Sequence, residues 1–471
     1  MQAKIFFGSS EAVTENYSER ISPYSGESVS SAPVCNADDA KKALNIAQGA
    51  VKGAKSSTLS QRCNWLLDVG SKLKENKEDI AKTITDEVGK PITFARIEVE
   101  RCIETVILSA ETMRTMHGET INTDAMTSGK KSIAYFSRVP AGVIVAITPF
   151  NFPLNLIAHK LAPALVSGNA VVLKPTPEAP LTAYKFAKLF IESKYAIKDA
   201  LSVVYGDVEV GNALISSDIP RVISFTGSVP VGNIITKNAG IKKISLELGG
   251  NAATFVDKSA DLDLAAKRCA LGAFVNSGQV CISLQRIYVD SAIYDTFAQK
   301  MAEETKKLIV GSPYEDDTFM GPLIDDEAAI RAMGWIESAI EEGATPLFPP
   351  HREGRMFHPC VMANVTDDMA IICEEVFAPI VSLVKIDGFD EALPKMNNSP
   401  YGLQFSIFTN DLKLAQHAIG ELDAGGIVIN DMPTLRFDIQ PYGGVKLSGV
   451  GREGPRFAIE EMTEIKSVVI C

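Results

Sequence analysis

Val143-Ile-Val-Ala-Ile-Thr-Pro-Phe-Asn-Phe-Pro153 decides the fold. Its first five residues, Val143–Ile147, are apolar without interruption, and they give way to a polar threonine and two prolines. An apolar run of that length reads as a strand buried on both faces, and the prolines bar its continuation. Four runs of the same kind follow, at Ala170–Lys174, Leu201–Tyr205, Arg221–Phe225 and Ile244–Leu248, with helical stretches between them. Short apolar strands alternating with helices predict a parallel sheet covered on both faces. Such sheets bind ligands beyond the carboxyl ends of their strands. Pro149–Pro153, Lys174-Pro175, Phe225-Thr-Gly-Ser228 and Glu247-Leu-Gly-Gly250 all fall at those ends.

A second α/β series comes later in the chain. Leu262–Val275 and Ile293–Leu308 have helical spacing, and Arg286–Val289, Val381–Ile386, Gln404–Phe408 and Gly426–Ile429 read as strands. Two α/β lobes are expected, meeting near Gly249-Gly250. Ahead of them, residues 1 to about 35 read as irregular or edge-strand structure, and Ala37–His117 as a set of helices. Gly118–Val139 alternates around Thr127-Ser-Gly-Lys130 and reads as a hairpin, either a projecting oligomerisation arm or a surface feature.

Composition excludes several function classes. At 471 residues, 46% hydrophobic and 22% charged, the chain is an ordinary globular sequence with ample length for a large core. A net charge of −12 with no basic run argues against nucleic acid or an anionic membrane as partner. Met1-Gln-Ala-Lys-Ile-Phe-Phe lacks the long apolar run of a secretory signal, and Ala141–Phe150 is too short to span a bilayer. The eight cysteines lie far apart, with no metal-knuckle or redox spacing, as in reduced thiols of a cytoplasmic protein. His117, His351, His358 and His417 have no ligand spacing, so no metal site is expected.

Only one cysteine sits in a glycine-containing polar turn: Asn276-Ser-Gly-Gln-Val-Cys281-Ile-Ser283. A thiol placed there, after a helix, is open to a small substrate and to backbone donors, and both favour a reactive thiolate. A half-buried structural cysteine is the other reading.

The motifs taken together resemble the aldehyde dehydrogenase superfamily over essentially the whole chain. They are Pro149-Phe-Asn-Phe-Pro153, Phe225-Thr-Gly-Ser228 with Gly232, Glu247-Leu-Gly-Gly250, Gly278-Gln-Val-Cys281, Glu374-Glu-Val-Phe-Ala-Pro379 and Pro441-Tyr-Gly-Gly444. The resemblance implies two doubly wound, Rossmann-like α/β domains and a β arm. The dinucleotide-binding domain would take 1–117 and 139–248, the catalytic domain 249–452, and the arm 118–138 with 453–471. Ile465-Lys-Ser-Val-Val-Ile470 would be an open strand edge unless another subunit covers it, so a homodimer or homotetramer is expected.

It also implies the chemistry. Cys281 would attack an aldehyde to give a thiohemiacetal, with the Asn151 amide and the Cys281 N–H receiving the oxyanion. Hydride transfer to NAD or NADP would leave a thioester, which Glu247 would hydrolyse by activating water. Thr148, Lys174, Gly227, Ser228, Gly232, Leu248, Glu375 and Phe377 would hold the cofactor. Ala378 stands where glycine is commoner. Pro177 stands where many NAD-preferring members carry glutamate, but Glu178 is adjacent, which leaves NAD and NADP both open. Gly449-Val-Gly451-Arg-Glu-Gly454 fits the glycine fingerprint of dinucleotide sites literally, yet it follows no predicted strand and is rejected.

Val280, Ile282, Arg101, His159 and Arg436 map to the family's substrate tunnel. Two arginines and a histidine there would clamp an anionic tail. Asn155-Leu-Ile-Ala-His-Lys160 and the Arg436 loop resemble the branch of lactaldehyde, phosphonoacetaldehyde and related short-aldehyde dehydrogenases. The expected substrate is a short aldehyde bearing phosphonate, sulfonate, phosphate or carboxylate, or a neutral one such as lactaldehyde. Against the clamp stand ordinary ion pairs: Arg101 with Glu98, Glu100 or Glu104, and Arg436 with Asp438. A coenzyme A-acylating enzyme is the competing activity, and Glu247 weighs against it. A cysteine hydrolase lacks a histidine base in context, and a non-catalytic homologue would have no need of Asn151, Glu247 and Cys281 together.

Overall fold

Val143–Ile147 lies at the middle of an eight-stranded sheet in a computed structural model that describes all residues 1–471. Its five central strands run in the order Leu201–Val203, Ala170–Lys174, Val143–Ile147, Pro220–Thr226, Lys243–Glu247, all parallel. Strand order therefore reverses between Val143–Ile147 and Pro220–Thr226, and a crevice opens at their carboxyl ends. Short antiparallel strands close the two edges. Ser10–Ala12 and Ile5–Phe7 cover one, and Gly449–Val450 covers the other, against Leu246 and Glu247.

The second sheet has seven strands: Thr345–Pro346, Cys360–Ala363, Ile380–Ile386, Leu284–Asp290, Ala252–Val256, Gln404–Phe408 and Gly426–Ile429 in spatial order. All are parallel except the two-residue edge at Thr345. Both faces of each sheet are apolar and helix-covered, because a parallel sheet buries every side chain it carries. The expected doubly wound α/β architecture is the one observed.

Two details fill out the sequence reading and a third departs from it. The first residues form four short strands, two of which extend the first sheet. The hairpin consists of Glu119–Asn122 and Ile133–Pro140, and Thr463–Ile470 pairs along the whole length of the latter. That strand is one edge of a three-stranded arm, with Ile465, Val469 and Ile470 exposed. Finally, the chain returns to the first lobe before the arm. Gly449–Val450 joins its sheet, and the helix Pro455–Glu461 packs on Ile92–Thr115 and Asn155–Val166, with Ile459 and Met462 in that lobe's core. The stretch from about 445 to 462 thus belongs with the first sheet. The glycines of 449–454 are needed there for close approach: a Cβ on Gly449 would come within 2.1 Å of the Leu246 carbonyl. No helix is long and apolar enough to cross a membrane.

Candidate active site

A cavity of about 570 Å³ lies beyond the carboxyl ends of the first sheet's strands and reaches into the second lobe. Asn151, Glu247 and Cys281 all line it. The helix Leu262–Phe274 ends in a turn in which Asn276, Ser277 and Gly278 have φ of 51°, 56° and 72°. Left-handed backbone costs roughly 1–3 kcal/mol at each non-glycine position and persists only where its surroundings hold it. Here Ser277 Oγ donates to the Gly321 carbonyl at 2.8 Å, and Gln279 Oε1 accepts from Ile324 N–H at 2.9 Å. A Cβ at Gly278 would stand 2.2 Å from the Ala378 carbonyl. The turn aims Cys281 into the cavity, and its backbone N–H has no acceptor within the protein.

The Asn151 loop is pinned from behind. Asn151 Nδ2 donates to the Gln279 carbonyl at 3.0 Å, tying the loop to the cysteine turn. Glu98 accepts from the N–H groups of Leu154 and Asn155 at 2.9 and 3.1 Å, which caps a helix whose own N-cap residue, Leu154, has no side-chain acceptor. Lys90 pairs with Glu98 in full burial, and its ammonium lies 3.9 Å over the Phe152 ring. An amide held this way, beside the free Cys281 N–H, supplies two donors for an oxyanion on a carbon attached to Sγ.

Glu247 is buried with both carboxylate oxygens unpartnered. Burial, reinforced by the nearby Glu453 charge, pushes its carboxyl well above the usual range. Glu453 goes the other way: against the burial penalty, Lys160, His159 and Arg436 hold it well below. Lys160 and Arg436 reach it at 3.1 and 3.2 Å. The two carboxyls are shifted in opposite directions, so Glu247 is the one able to take up a proton and Glu453 the one held charged. The two glycines after Glu247 allow close approach within the protein: a Cβ at Gly249 would overlap the Glu375 carboxylate, and one at Gly250 the Cys281 carbonyl.

A thiol, an asparagine amide and an unpaired buried carboxylate line one cavity at a Rossmann switch point. A profile of the aldehyde dehydrogenase family matches residues 10–468. The chain belongs to the aldehyde dehydrogenase family. It is 42% identical over 453 residues to the 3-sulfolactaldehyde dehydrogenase of Priestia megaterium, covering 96% of this chain and 94% of that one. It is 39% identical to the lactaldehyde dehydrogenase of Methanococcus maripaludis, covering 95% and 96%. Among solved structures, NADP-dependent glyceraldehyde-3-phosphate dehydrogenase from Bacillus halodurans, complexed with NADP, superposes with a TM-score of 0.97 at 33% identity, over 100% and 99% of the two chains. The protein is an NAD(P)-dependent aldehyde dehydrogenase.

The crevice fits such a dinucleotide. Thr148 Oγ1 is buried without a partner on its wall, and Thr226, Gly227, Ser228, Val231, Leu248, Glu375 and Phe377 continue that wall. The helix Val229–Asn238 opens onto it, with Ser228 at its N-cap position making no cap bond, so its first N–H groups are free for a phosphate. Gly227 N–H is not one of them, since it donates to the Glu247 carbonyl at 3.0 Å. Gly232 and Lys174 do not line the cavity: Gly232 makes room for Leu248, and Lys174 is buried at the end of its strand. Thr176 and Glu178 line it instead, bonded to each other. Phe377 has φ of 47° beside Ala378, with its ring edge-on to Phe150. Burial raises the Glu375 carboxyl to about 7, and its Oε1 accepts from Gly250 N–H at 3.1 Å.

The three basic residues of the tunnel need correcting. Arg101 and Arg436 line the cavity, with Val280 and Ile282 beside Cys281, but His159 does not. His159 is buried behind it, its Nε2 2.9 Å from Asp438 Oδ1, and burial and Arg436 push it toward the neutral form. Arg101 meets the same carboxylate through two bonds of 2.8 Å. Arg436 contacts Glu453 and lies 3.7 Å over the Tyr442 ring, while its buried Nε makes no hydrogen bond and stands 3.6 Å from Asp438 Oδ1. Sequence reasoning overlooked Glu453 and Tyr442. Glu453 lies inside the rejected glycine run, and Tyr442 inside a motif quoted only for recognition.

Proposed function

We propose that the chain oxidises a short aldehyde carrying a hydroxyl or anionic group to the free acid, through a thiohemiacetal and a thioester on Cys281. The observation that carries this is Arg436, which lines the cavity with a buried Nε that makes no hydrogen bond, its nearest carboxylate oxygen, Asp438 Oδ1, standing 3.6 Å away. A buried guanidinium donor without a partner costs stability unless a ligand accepts from it. Arg101, on the same wall, adds a second cationic group. Its charge is matched by Asp438, and that of Arg436 by Glu453 at 3.2 Å and Asp438 at 3.6 Å, so the clamp rests on the Arg436 Nε that makes no hydrogen bond.

The chain's own residues divide the work. Cys281 Sγ forms the bond to the aldehyde carbon, and the carbonyl electron pair moves to an oxygen received by Asn151 Nδ2 and the Cys281 N–H. NAD or NADP, when bound, is the hydride acceptor. Glu247, free of partners, then takes a proton from the water that attacks the thioester, which favours free acid over acyl transfer to coenzyme A. Relatives named for lactaldehyde and 3-sulfolactaldehyde agree with both substrate options.

Reduced-nicotinamide absorbance with lactaldehyde, 3-sulfolactaldehyde, succinic semialdehyde and propanal tests this, in the parent and in Arg436→Ala. Efficiency on anionic aldehydes should fall at least tenfold more than on propanal. Equal losses would return Arg436 to a structural role. We further propose a cytoplasmic homotetramer, supported by eight unpaired thiols and by the exposed edge of Thr463–Ile470. Lys466→Pro should yield smaller particles in light scattering.

A further inference from the structure

Cys281 needs to be a thiolate to attack, and the cavity works against that. Burial pushes the thiol up to about 12, and the carboxyls of Glu375 and Glu247 add to the effect, while Arg436 opposes it. No histidine is available as a base, since His159 is turned to Asp438 behind the cavity. One side chain touches the sulfur: the Tyr442 hydroxyl lies 3.0 Å from Sγ, and no other side chain bonds it.

Tyr442 is fixed for that position. Its backbone pairs with Glu453 in both directions, Tyr442 N–H to the Glu453 carbonyl at 3.1 Å and Glu453 N–H to the Tyr442 carbonyl at 2.6 Å. Its ring packs with Val280, Ile282 and Leu403. The Arg436 guanidinium over the ring makes the phenol a better donor by drawing electron density from it.

We propose that Tyr442 is a catalytic residue, whose phenolic O–H donates to Cys281 Sγ and holds the thiolate when it attacks and again when it leaves. The inference rests on Cys281 being the nucleophile. In the first step the thiol proton goes to solvent, the sulfur pair forms the C–S bond, and the carbonyl pair moves to oxygen. In deacylation, water adds to the thioester, the C–S bond breaks, and its electron pair returns to sulfur, where Tyr442 O–H meets it. The phenol keeps its proton throughout, and no electrons pass through it.

The test is the pH dependence of Cys281 alkylation by iodoacetamide in the full chain, in a Cys373→Ser, Cys471→Ser background that removes the exposed thiols. Mass mapping confirms the labelled residue. A bond to a charged group of ordinary strength predicts that Tyr442→Phe raises the alkylation midpoint by about one to two pH units. Labelling at neutral pH then slows about 10- to 100-fold. The ring and its packing are retained in that variant. If it nonetheless fails to fold, 3-fluorotyrosine placed at position 442, a more acidic phenol of nearly the same shape, should lower the midpoint. An unchanged midpoint in either protein, or a lower one with phenylalanine, would overturn the proposal. Cys281→Ser separates the two readings: full activity there would sink the nucleophile, whereas an inactive serine variant with an unmoved phenylalanine midpoint would sink Tyr442 alone.

Discussion

Asp438 holds Arg101 through both carboxylate oxygens, each at 2.8 Å, and takes His159 Nε2 at 2.9 Å on one of them. One buried carboxylate thus joins the helix Ile92–Thr115, the helix Asn155–Val166 and the loop that carries Arg436. Against its burial penalty, the His159 and Arg101 bonds hold the Asp438 carboxyl well below the usual range. A depressed folded-state value means stability that is fully present above the unfolded value near 4 and is lost as pH falls below it. Asp438→Asn should therefore cost about 1–3 kcal/mol in urea unfolding from pH 8 to 5, with the gap to the parent narrowing only in stronger acid. A gap that closes between pH 7 and 6 would mean the ion pair contributes little.

Glu247 carries the opposite sign. Its carboxyl is raised by burial and by Glu453, so the base form grows as pH rises through that raised value. Steady-state turnover should climb with pH as that carboxyl ionises. Glu247→Gln should remove the climb and slow turnover about 10²–10⁴-fold. It should still release one equivalent of reduced nicotinamide per site in a rapid burst, because acylation does not use this carboxylate. Loss of the burst together with turnover would place Glu247 in the first step instead.

Much of this was legible in the chain because parallel strands announce themselves. Val143–Ile147 and Ala170–Lys174 are apolar throughout, and the motifs follow them directly. What the sequence could not display was pairing at a distance. Arg101 and Asp438 are far apart in the chain, so Arg101 reads as a partner of the nearby Glu98, Glu100 or Glu104, and Glu98 in fact binds Lys90 and two backbone N–H groups. The Gly449–Val450 edge strand is too short to carry a period, and only its closeness to Leu246 explains its glycine.

Glu98 gives a third prediction. It caps the helix after Asn151 and pairs with Lys90, whose ammonium covers Phe152. Glu98→Ala strands the buried Lys90 and frees the loop that holds the oxyanion amide. Breaking a buried pair by removing one partner costs about 3–5 kcal/mol. Stability should fall by that order, and kcat should drop more than KM rises. The double variant Glu98→Leu with Lys90→Met should recover much of the stability and little of the kcat, because the cap on Leu154 and Asn155 stays missing. Full recovery of both would assign Glu98 to packing alone.

Glu178 is the residue expected to set cofactor choice. It lines the cavity, accepts from Thr176 Oγ1 and acts on the buried Lys174 ammonium, whose proton affinity burial lowers and Glu178 partly restores. Pro177 offers no carboxylate, so a 2′-phosphate bound on this wall would meet the charge of Glu178. Two like charges 4 Å apart repel by about 1 kcal/mol in water and by more beside a protein wall. Glu178→Gln keeps the shape and removes the charge, and should raise kcat/KM with NADP relative to NAD about fivefold or more. The shift should shrink as salt is added, since the repulsion acts across solvent. A ratio that stays constant at low salt would show that Glu178 faces away from the adenosine ribose, and would leave cofactor preference to Thr176 and Lys174.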